Sequence, residues 1–518
     1  MNPETNSLTL NNDCDNQPHV PHSFRTRERS QWAIPTTIYH LPDEILASIF
    51  TLVINDLDPE YTIGFGMEMV LRSTYQRLLA LTVVCSDWRR ICLSKGSLWS
   101  TVPVFNHPKT TERALKTCLE RSRGCDIYLA GRLGAHSEHV LLEVIPVQKH
   151  RIHTIDLKIE GTKFLPTLSS ILVTLLVRAA DIPRCLTNLF VRIAGPSARS
   201  TRPTPKTLLY GTDSVEHNIF DYLAPSLKGL RLSGFNLDWN EMRLSGLVEL
   251  RVQDLYQVSR SMMDTLLYAL SSAPKLQTVE LIEISFRSNP VLPPESVPEP
   301  SYTISLPSLQ KLYMQDVDHE FLSVILQSIA PGPYRTIVHY SNLRYVDRYR
   351  YHNGEREATG INLSQLGKFE VDTLVLSSSC FDYFRTLGEV PTIQALYITN
   401  TTLSESALRA LVRPEGCTKT SFPTIRRLYI LNSAFEHQFL DLLKAVVESH
   451  GIQELRIGTP DFAYGDAESI PGWVLFEGPL HEKHTAPIIS WLQNNVQKFV
   501  IVKRLKDLPD LNLVTEFW

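Results

Sequence analysis

Through most of the chain, apolar residues recur in triplets at i, i+3 and i+5, in which the first two bracket polar residues and the last two alternate as in a strand. Clear copies are Ile152-Ile155-Leu157, Leu186-Leu189-Val191, Leu227-Leu230-Leu232, Leu247-Leu250-Val252, Leu276-Val279-Leu281 and Leu309-Leu312-Met314. Later copies are Val371-Leu374-Leu376, Ile393-Leu396-Ile398, Ile425-Leu428-Ile430, Ile452-Leu455-Ile457 and the weaker Val496-Phe499-Ile501. Several follow a Pro, as in LAPSLKGLRL and FPTIRRLYI, which ends a helix and leads into extended chain. Between copies, SRSMMDTLLYALSSA, HEFLSVILQSIA, SESALRALVR and EHQFLDLLKAVVESH carry apolar residues at three- and four-residue spacing, the mark of an amphipathic helix.

A short strand followed by a helix, repeated, describes a leucine-rich-repeat-type solenoid with parallel strands on a concave side and helices on the convex side. One strand-helix unit cannot bury both of its faces, so neighbouring copies stabilise each other. The copies are unevenly spaced, and the Asn or Cys that follows the strand in regular repeats is mostly missing, so an irregular array with loop insertions is expected. The insertions expected are the Pro-rich stretches 195–206 and 289–302 and the polar run from Asn342 to Gly360.

Upstream, from Ile38 to Val104, the spacing is helical. Pro42 suits a first helical position, and Asp43 and Glu44 put negative charge at the positive end of the helix dipole. Ile45, Leu46, Ile49, Phe50, Leu52 and Val53 make an apolar face too broad for a free surface helix, so part packs inward and part is available to a partner. A second helix is expected from Tyr75 to Cys85, and a third, DWRRICLSKG, capped by Ser86 and stopped by Gly96. Leu98, Trp99 and Val102 join the same cluster, and Lys109 to Arg121 reads as a further short helix. The resulting fold class is α+β to α/β: a disordered tail over 1–36, a small helical bundle over 38–104 with an insertion at 54–74, a helical linker over 105–145, and the repeat array over 146–518.

At 518 residues the chain is too long for one ordinary compact core, and 43% hydrophobic with 20% charged residues is an ordinary globular composition. A net charge of -4 supplies no overall field for nucleic acid or an acidic membrane, and neither is expected as a partner. The eight cysteines include no C-x-x-C pair, so reduced thiols are expected, with Cys85 and Cys92 on apolar faces as small hydrophobes rather than nucleophiles. With no basic stretch leading into an apolar run at the N-terminus, the cytosol or nucleus is the expected compartment. The pairs His136/His139, His150/His153 and His481/His484 are spaced at i+3, not the i+4 of a zincin helix, and no P-loop, G-x-G-x-x-G or G-x-S-x-G sequence occurs. No metal, no cofactor and no catalytic residue are expected.

The order Leu41-Pro42-Asp43-Glu44-Ile45-Leu46, Ile49-Phe50, Val84-Cys85-Ser86-Asp87-Trp88-Arg89-Arg90-Ile91 and Leu98-Trp99 resembles the F-box, in the form common among fungal F-box-like proteins. The connection after Val53 is longer than the family's usual one. The resemblance covers about 65 of the 518 residues. It implies a non-enzymatic receptor that binds a Skp-type adaptor, and through it cullin and RING subunits, with Leu41, Pro42, Ile45, Leu46, Ile49, Val84, Trp88 and Ile91 as the adaptor-binding residues. Trp88 and Trp99 can equally fill the bundle, and packing is the favoured reading for both. The C-terminal array, a frequent partner of the F-box, would then select a protein to be ubiquitylated. A repeat scaffold that binds no adaptor, and an enzyme with a site hidden in the repeats, remain open.

Within each triplet the residue at i+4 points away from the packed side. These outward positions are Arg231, Arg251, Glu280, Tyr313, Val375, Tyr397, Tyr429 and Arg456. Tyr and Arg are enriched at binding hot spots, so Arg231, Arg251, Tyr313, Tyr397, Tyr429 and Arg456 are the candidate substrate-binding residues, against the alternative of ordinary strand residues.

Overall fold

The structure, a computed structural model, describes residues 38, 41–55, 67–105, 107–176, 185–193, 223–234, 237–240, 242–286, 303–341, 366, 369–377, 387, 390, 392–417, 422–431, 433–435, 439–458 and 482–502. The expected tail over 1–36, the loops 195–206 and 289–302 and the run from Asn342 to Gly360 lie outside them. The chain forms two compact units, Met1–Leu46 and Ala47–Trp518.

Helices come first: α1 (Asp43–Asn55), α2 (Met67–Val84) and α3 (Ser86–Ser94), followed by a 3-10 turn over Gly96–Trp99. Helix α2 starts eight residues before the expected Tyr75, because Met67, Val70, Leu71, Thr74 and Leu78 continue one face at three- and four-residue spacing. Part of the expected insertion at 54–74 is therefore helix. The cap of α3 is Cys85, whose Sγ accepts from the Trp88 amide at 3.5 Å, and not Ser86. Gly96 does follow the end of α3. Its requirement is also one of space, since a Cβ there would stand 2.5 Å from the Ser122 carbonyl oxygen.

Strands and helices then alternate: β1 (Thr101–Val104), α4 (Pro108–Arg121), β2 (Ile127–Leu133), α5 (Glu138–Gln148), β3 (Ile152–Ile159), α6 (Leu165–Leu176) and β4 (Asn188–Ile193). Next come β5 (Gly229–Ser233), β6 (Glu249–Val258), α7 (Arg260–Ser271), β7 (Thr278–Phe286), β8 (Lys311–Gln315), α8 (His319–Ser328), β9 (Arg335–Tyr340), β10 (Thr373–Ser377) and β11 (Ala395–Thr399). The last are β12 (Thr402–Leu403), α9 (Glu405–Leu411), β13 (Arg427–Leu431), β14 (Ala434–Phe435), α10 (Leu440–His450), β15 (Glu454–Gly458), α11 (Glu482–Asn495) and β16 (Lys498–Val502). Among the described residues, fourteen strands form one sheet in sequence order, all neighbours parallel, and the short pair β12-β14 stands outside it. Such an order has each new strand stacked on its predecessor, as in a solenoid-like repeat.

Every apolar triplet falls on or beside a strand, and apart from Phe499 and Ile501 in the last copy its members are at most 4% exposed. Within the sheet, three strands lack the triplet: β1, β2 and β9. Strand β2 pairs with β1 and β3, so the segment 105–145, expected as a linker, belongs to the array. The helices start where their caps say: Ser259, Asp318 and Ser404 accept from the amides of Met262, Phe321 and Ala407. Gly451 closes α10 in the left-handed conformation, φ 64°.

The helical N-terminal segment is fused to the sheet. Trp99 is fully buried, donates from Nε1 to the Cys92 carbonyl at 2.8 Å, and carries the Arg121 guanidinium 4.4 Å above its ring. Leu71 of α2, Phe105, Ala114 of α4 and Ala130 of β2 form one buried cluster, with Tyr75 and Tyr128 packed on it. A close backbone approach lies beside it. Gly131 of β2 has φ 148°, and a Cβ there would stand 2.0 Å from the Val104 carbonyl oxygen. We expect Gly131→Ala to destabilise the protein by about 3 kcal/mol, read as a lowered denaturant midpoint, because neither the strand geometry nor the β1-β2 pairing can absorb a methyl group.

Candidate functional site

In the unit Met1–Leu46, the amides of Ile45 and Leu46 both bond to the Pro42 carbonyl, at 3.0 and 3.1 Å, and open α1 as the Pro and the two acidic residues predict. Pro42 is exposed, Leu41 half-buried, Ile45 48% exposed and Leu46 buried. In the unit Ala47–Trp518, Phe50 is fully buried with its ring 4.8 Å from that of Trp88, and Ile54 is buried one turn on. Ile49 is half-buried, whereas Leu52 is 70% and Val53 43% exposed. Helix α2 buries Leu71, Leu78 and Leu81, yet ends with Val83 70% and Val84 59% exposed. Ile91 and Cys92 are in the core, and burial pushes the Cys92 thiol up to about 11, which suits packing and not nucleophilic chemistry.

Of the eight residues expected to meet the adaptor, Pro42, Ile45 and Val84 therefore reach solvent and Leu41, Ile49 and Trp88 do so in part. Leu46 and Ile91 are core residues in the unbound chain, and Trp88 packs on Phe50. Leu52, Val53 and Val83 were not singled out as contacts. Their signal was the excessive width of the apolar face of α1 and the Val-Val end of α2.

Strand residues alternate between two faces, one holding the triplets and the other the positions expected to point outward. That second face does not carry them as one exposed row. Arg231, Arg251, Glu280 and Tyr313 are register neighbours, and Tyr313 pairs with Ile337 of β9. Val375, Tyr397, Tyr429 and Arg456 are also register neighbours, but Val375 pairs with His339, two residues farther along β9. The strand without a triplet thus separates the candidates into two adjacent rows.

Burial divides them further. Val375, Tyr397 and Tyr429 are at most 1% exposed and Tyr313 is 2% exposed, within a cluster that includes Ile282, Ile337 and Leu431. The Tyr397 and Tyr429 rings stack at 4.1 Å with 9° between their planes, and the Arg456 guanidinium lies 5.5 Å over Tyr429. Arg251 and Arg456 are buried and ion-paired, Arg251 with Glu280 at 3.7 Å and Arg456 with Glu454 at 2.7 Å. Arg231 is partly exposed and paired with Glu249, its guanidinium 4.7 Å over Phe190. The expectation of solvent-facing tyrosines is corrected: on this face the residues from β8 to β13 are core.

Asp156 and His339 are further buried titratable groups on the face. Asp156 accepts from the Tyr128 hydroxyl at 2.6 Å, and among the described residues its Oδ1 has no hydrogen-bond partner. Burial pushes its carboxyl up to about 7, against the opposing pull of the Tyr128 hydrogen bond and Arg231. His339 lies 2.7 Å from the Tyr313 hydroxyl through Nδ1 and 3.1 Å from Ser377 Oγ through Nε2, and Ser377 Oγ continues to Thr399 Oγ1 at 2.5 Å. Burial pushes its imidazole down to about 3. The chain of side chains ties β8, β9, β10 and β11 together without a charge.

Candidate pockets are modest. One of about 180 Å³ lies among α1, α2, the 3-10 turn and β1, lined by Thr51, Asn55, Thr74, Tyr75, Ser97 and Leu98 among others. A second of about 370 Å³ lies where β10, β11 and β13 begin, beside Glu370, Asp372, Thr392 and Arg426. Neither contains a nucleophile hydrogen-bonded to a base. Among the described residues no group of His, Cys, Asp and Glu could hold a metal ion, and no helix is long and apolar enough to cross a membrane. His136 and His139 are exposed, and His153 bonds Thr154 and Thr187. His481 lies outside the described residues, and nothing is described of the His484 side chain.

Two measurements test the second face. Tyr429→Ala truncates a buried stacked ring, so we expect a loss of about 3 kcal/mol of stability in chemical denaturation. Asp156 and His339 give opposite pH slopes. The raised Asp156 pKa contributes stability below 3.8 that is lost as pH rises through about 7. The lowered His339 pKa contributes stability above 6.5 that is lost as pH falls toward about 3. Between 3.8 and 6.5 the two oppose each other, each at roughly 1.4 kcal/mol per pH unit. Relative to wild type, Asp156→Asn gains stability as pH rises across that window and His339→Gln loses it.

Comparison with known proteins bears on the helical segment alone. No curated protein matches the chain in sequence. Residues 38–102, which hold α1, α2, α3 and the 3-10 turn, match the F-box-like family.

Proposed function

We propose that the chain is the substrate-recognition subunit of an SCF-type ubiquitin ligase. On this reading it binds a Skp-type adaptor through the F-box-like segment and a protein target through the array, which we read as leucine-rich-repeat-like. Cullin and RING subunits would join through the adaptor and supply the chemistry, leaving this chain a non-enzymatic receptor. The observation that carries the reading is the exposure of large apolar side chains on the helices of the matched segment: Ile45, Leu52 and Val53 on α1, and Val83 and Val84 at the end of α2. Apolar side chains of this kind are unfavourable in water, and covering them with a partner lowers the free energy.

The array supports the second half of the reading. The second face is core from β8 to β13, but on the earlier strands β2 to β4 it keeps the half-buried Arg132, Lys158 and Arg192 within reach of a protein segment. The test is co-purification with the adaptor. We expect the full-length chain to capture a Skp-type adaptor, and Ile45→Asp or Val84→Asp, each at an exposed position, to weaken capture at least about tenfold with an unchanged melting temperature. Wild-type protein that captures no adaptor would remove the ligase reading and leave a repeat scaffold.

A further inference from the structure

Much of the second face is closed to a ligand, since it is buried from Tyr313 to Tyr429. Its early part is charged. Arg132 of β2, Lys158 of β3 and Arg192 of β4 are consecutive register neighbours, three cations in a row. Parallel strands stand about 4.8 Å apart, so their stems are held side by side whatever the charged ends do. Arg132 is compensated by Glu160 at 2.6 Å and Glu68 at 3.4 Å. Among the described residues neither Lys158 nor Arg192 takes part in an ion pair, and both are half-buried; the carboxylate that acts on Lys158 is Glu160, already paired with Arg132.

Every other pair of like-charged register neighbours on this face has at least one compensated member. Arg231 and Arg251 have Glu249 and Glu280, and Lys311 beside Arg335 has Glu280. Burial, Arg192 and Arg132 together push the Lys158 ammonium down, only partly countered by Glu160, as expected of a cation held against its own kind. Adjacent cations on a partly desolvated sheet are destabilising unless an anion bridges them.

We infer that Lys158 and Arg192 form the recognition point for an acidic peptide segment, with one carboxylate of the ligand accepting hydrogen bonds from both side chains. Strand spacing sets the gap that the carboxylate spans, and Arg guanidinium geometry favours a planar two-oxygen acceptor. The inference rests on the receptor reading for its purpose, since it names the chemical class of the target segment.

The experiment uses the full chain and a short fluorescein-labelled peptide of alternating Glu and Ser, with the Gln and phosphoserine counterparts as further probes, followed by fluorescence anisotropy. The Glu peptide is expected to bind and weaken with added salt, the Gln peptide to bind at least about tenfold more weakly, and Lys158→Gln/Arg192→Gln to lose about tenfold in affinity for the Glu peptide. Arg243→Gln, an exposed cation in the connection between β5 and β6, is expected to bind as wild type. Equal binding of Glu and Gln peptides, or unchanged binding by the double variant, would overturn the proposal. A phosphoserine peptide that binds about tenfold tighter than the Glu peptide would overturn it in favour of a phosphate ligand. Adaptor capture is scored on the same preparations: charge-dependent peptide binding without adaptor capture removes the ligase reading alone, and the reverse removes the acidic-segment proposal alone.

Discussion

The constraint on which the rest depends is that a single strand-helix unit has more apolar surface than it can cover. A triplet such as Leu230 and Leu232 with Leu227 is excluded from water only because the units before and after it stand a strand spacing away and a helix lies behind. Fully burying a Leu side chain contributes about 2 kcal/mol, and backbone ordering costs about the same per residue, so isolated copies do not hold. Parallel pairing in strict sequence order is the arrangement that satisfies every copy with short connections.

The same condition explains how the N-terminal helices are secured. Helix α2 turns part of its apolar side to the array, where Leu71 and Tyr75 pack with Phe105, Ala114 and Ala130 of the first repeat units. Trp99, at the end of the F-box-like match, is held by the Cys92 carbonyl on one side and the Arg121 guanidinium on the other. What was expected to be a linker is a load shared by packing, and its strand β2 is paired on both edges.

Much of this was legible in residue spacing. The triplets located eleven strands because a buried strand needs its apolar residues at fixed offsets, and Gly96 marked the end of α3, whereas the cap expected at Ser86 falls on Cys85. Strand β9, RTIVHY, escaped because Thr336 and His339 break the apolar pattern, and missing it merged two rows of outward residues into one. The burial of Tyr397 and Tyr429 was illegible for a different reason. Alternation says which way a side chain points, but not whether another part of the chain lies over it. The like-charged neighbours Lys158 and Arg192 are 34 positions apart in sequence and become a pair only through the register of β3 and β4.

The union of the first strand with the F-box-like helices has a metric consequence. With β1 beginning two residues after Trp99 and each further strand adding about 4.8 Å, position along the sheet is a ruler whose zero is the end of the F-box-like match. Anything bound on β3 or β4 sits roughly 10 to 15 Å from that zero, whereas β16 is more than about 60 Å along the stacking direction. A flexible tether would blur such distances; a continuous hydrogen-bonded ladder keeps them, so inserting or deleting one repeat would displace everything beyond it by a fixed step while leaving both ends chemically intact.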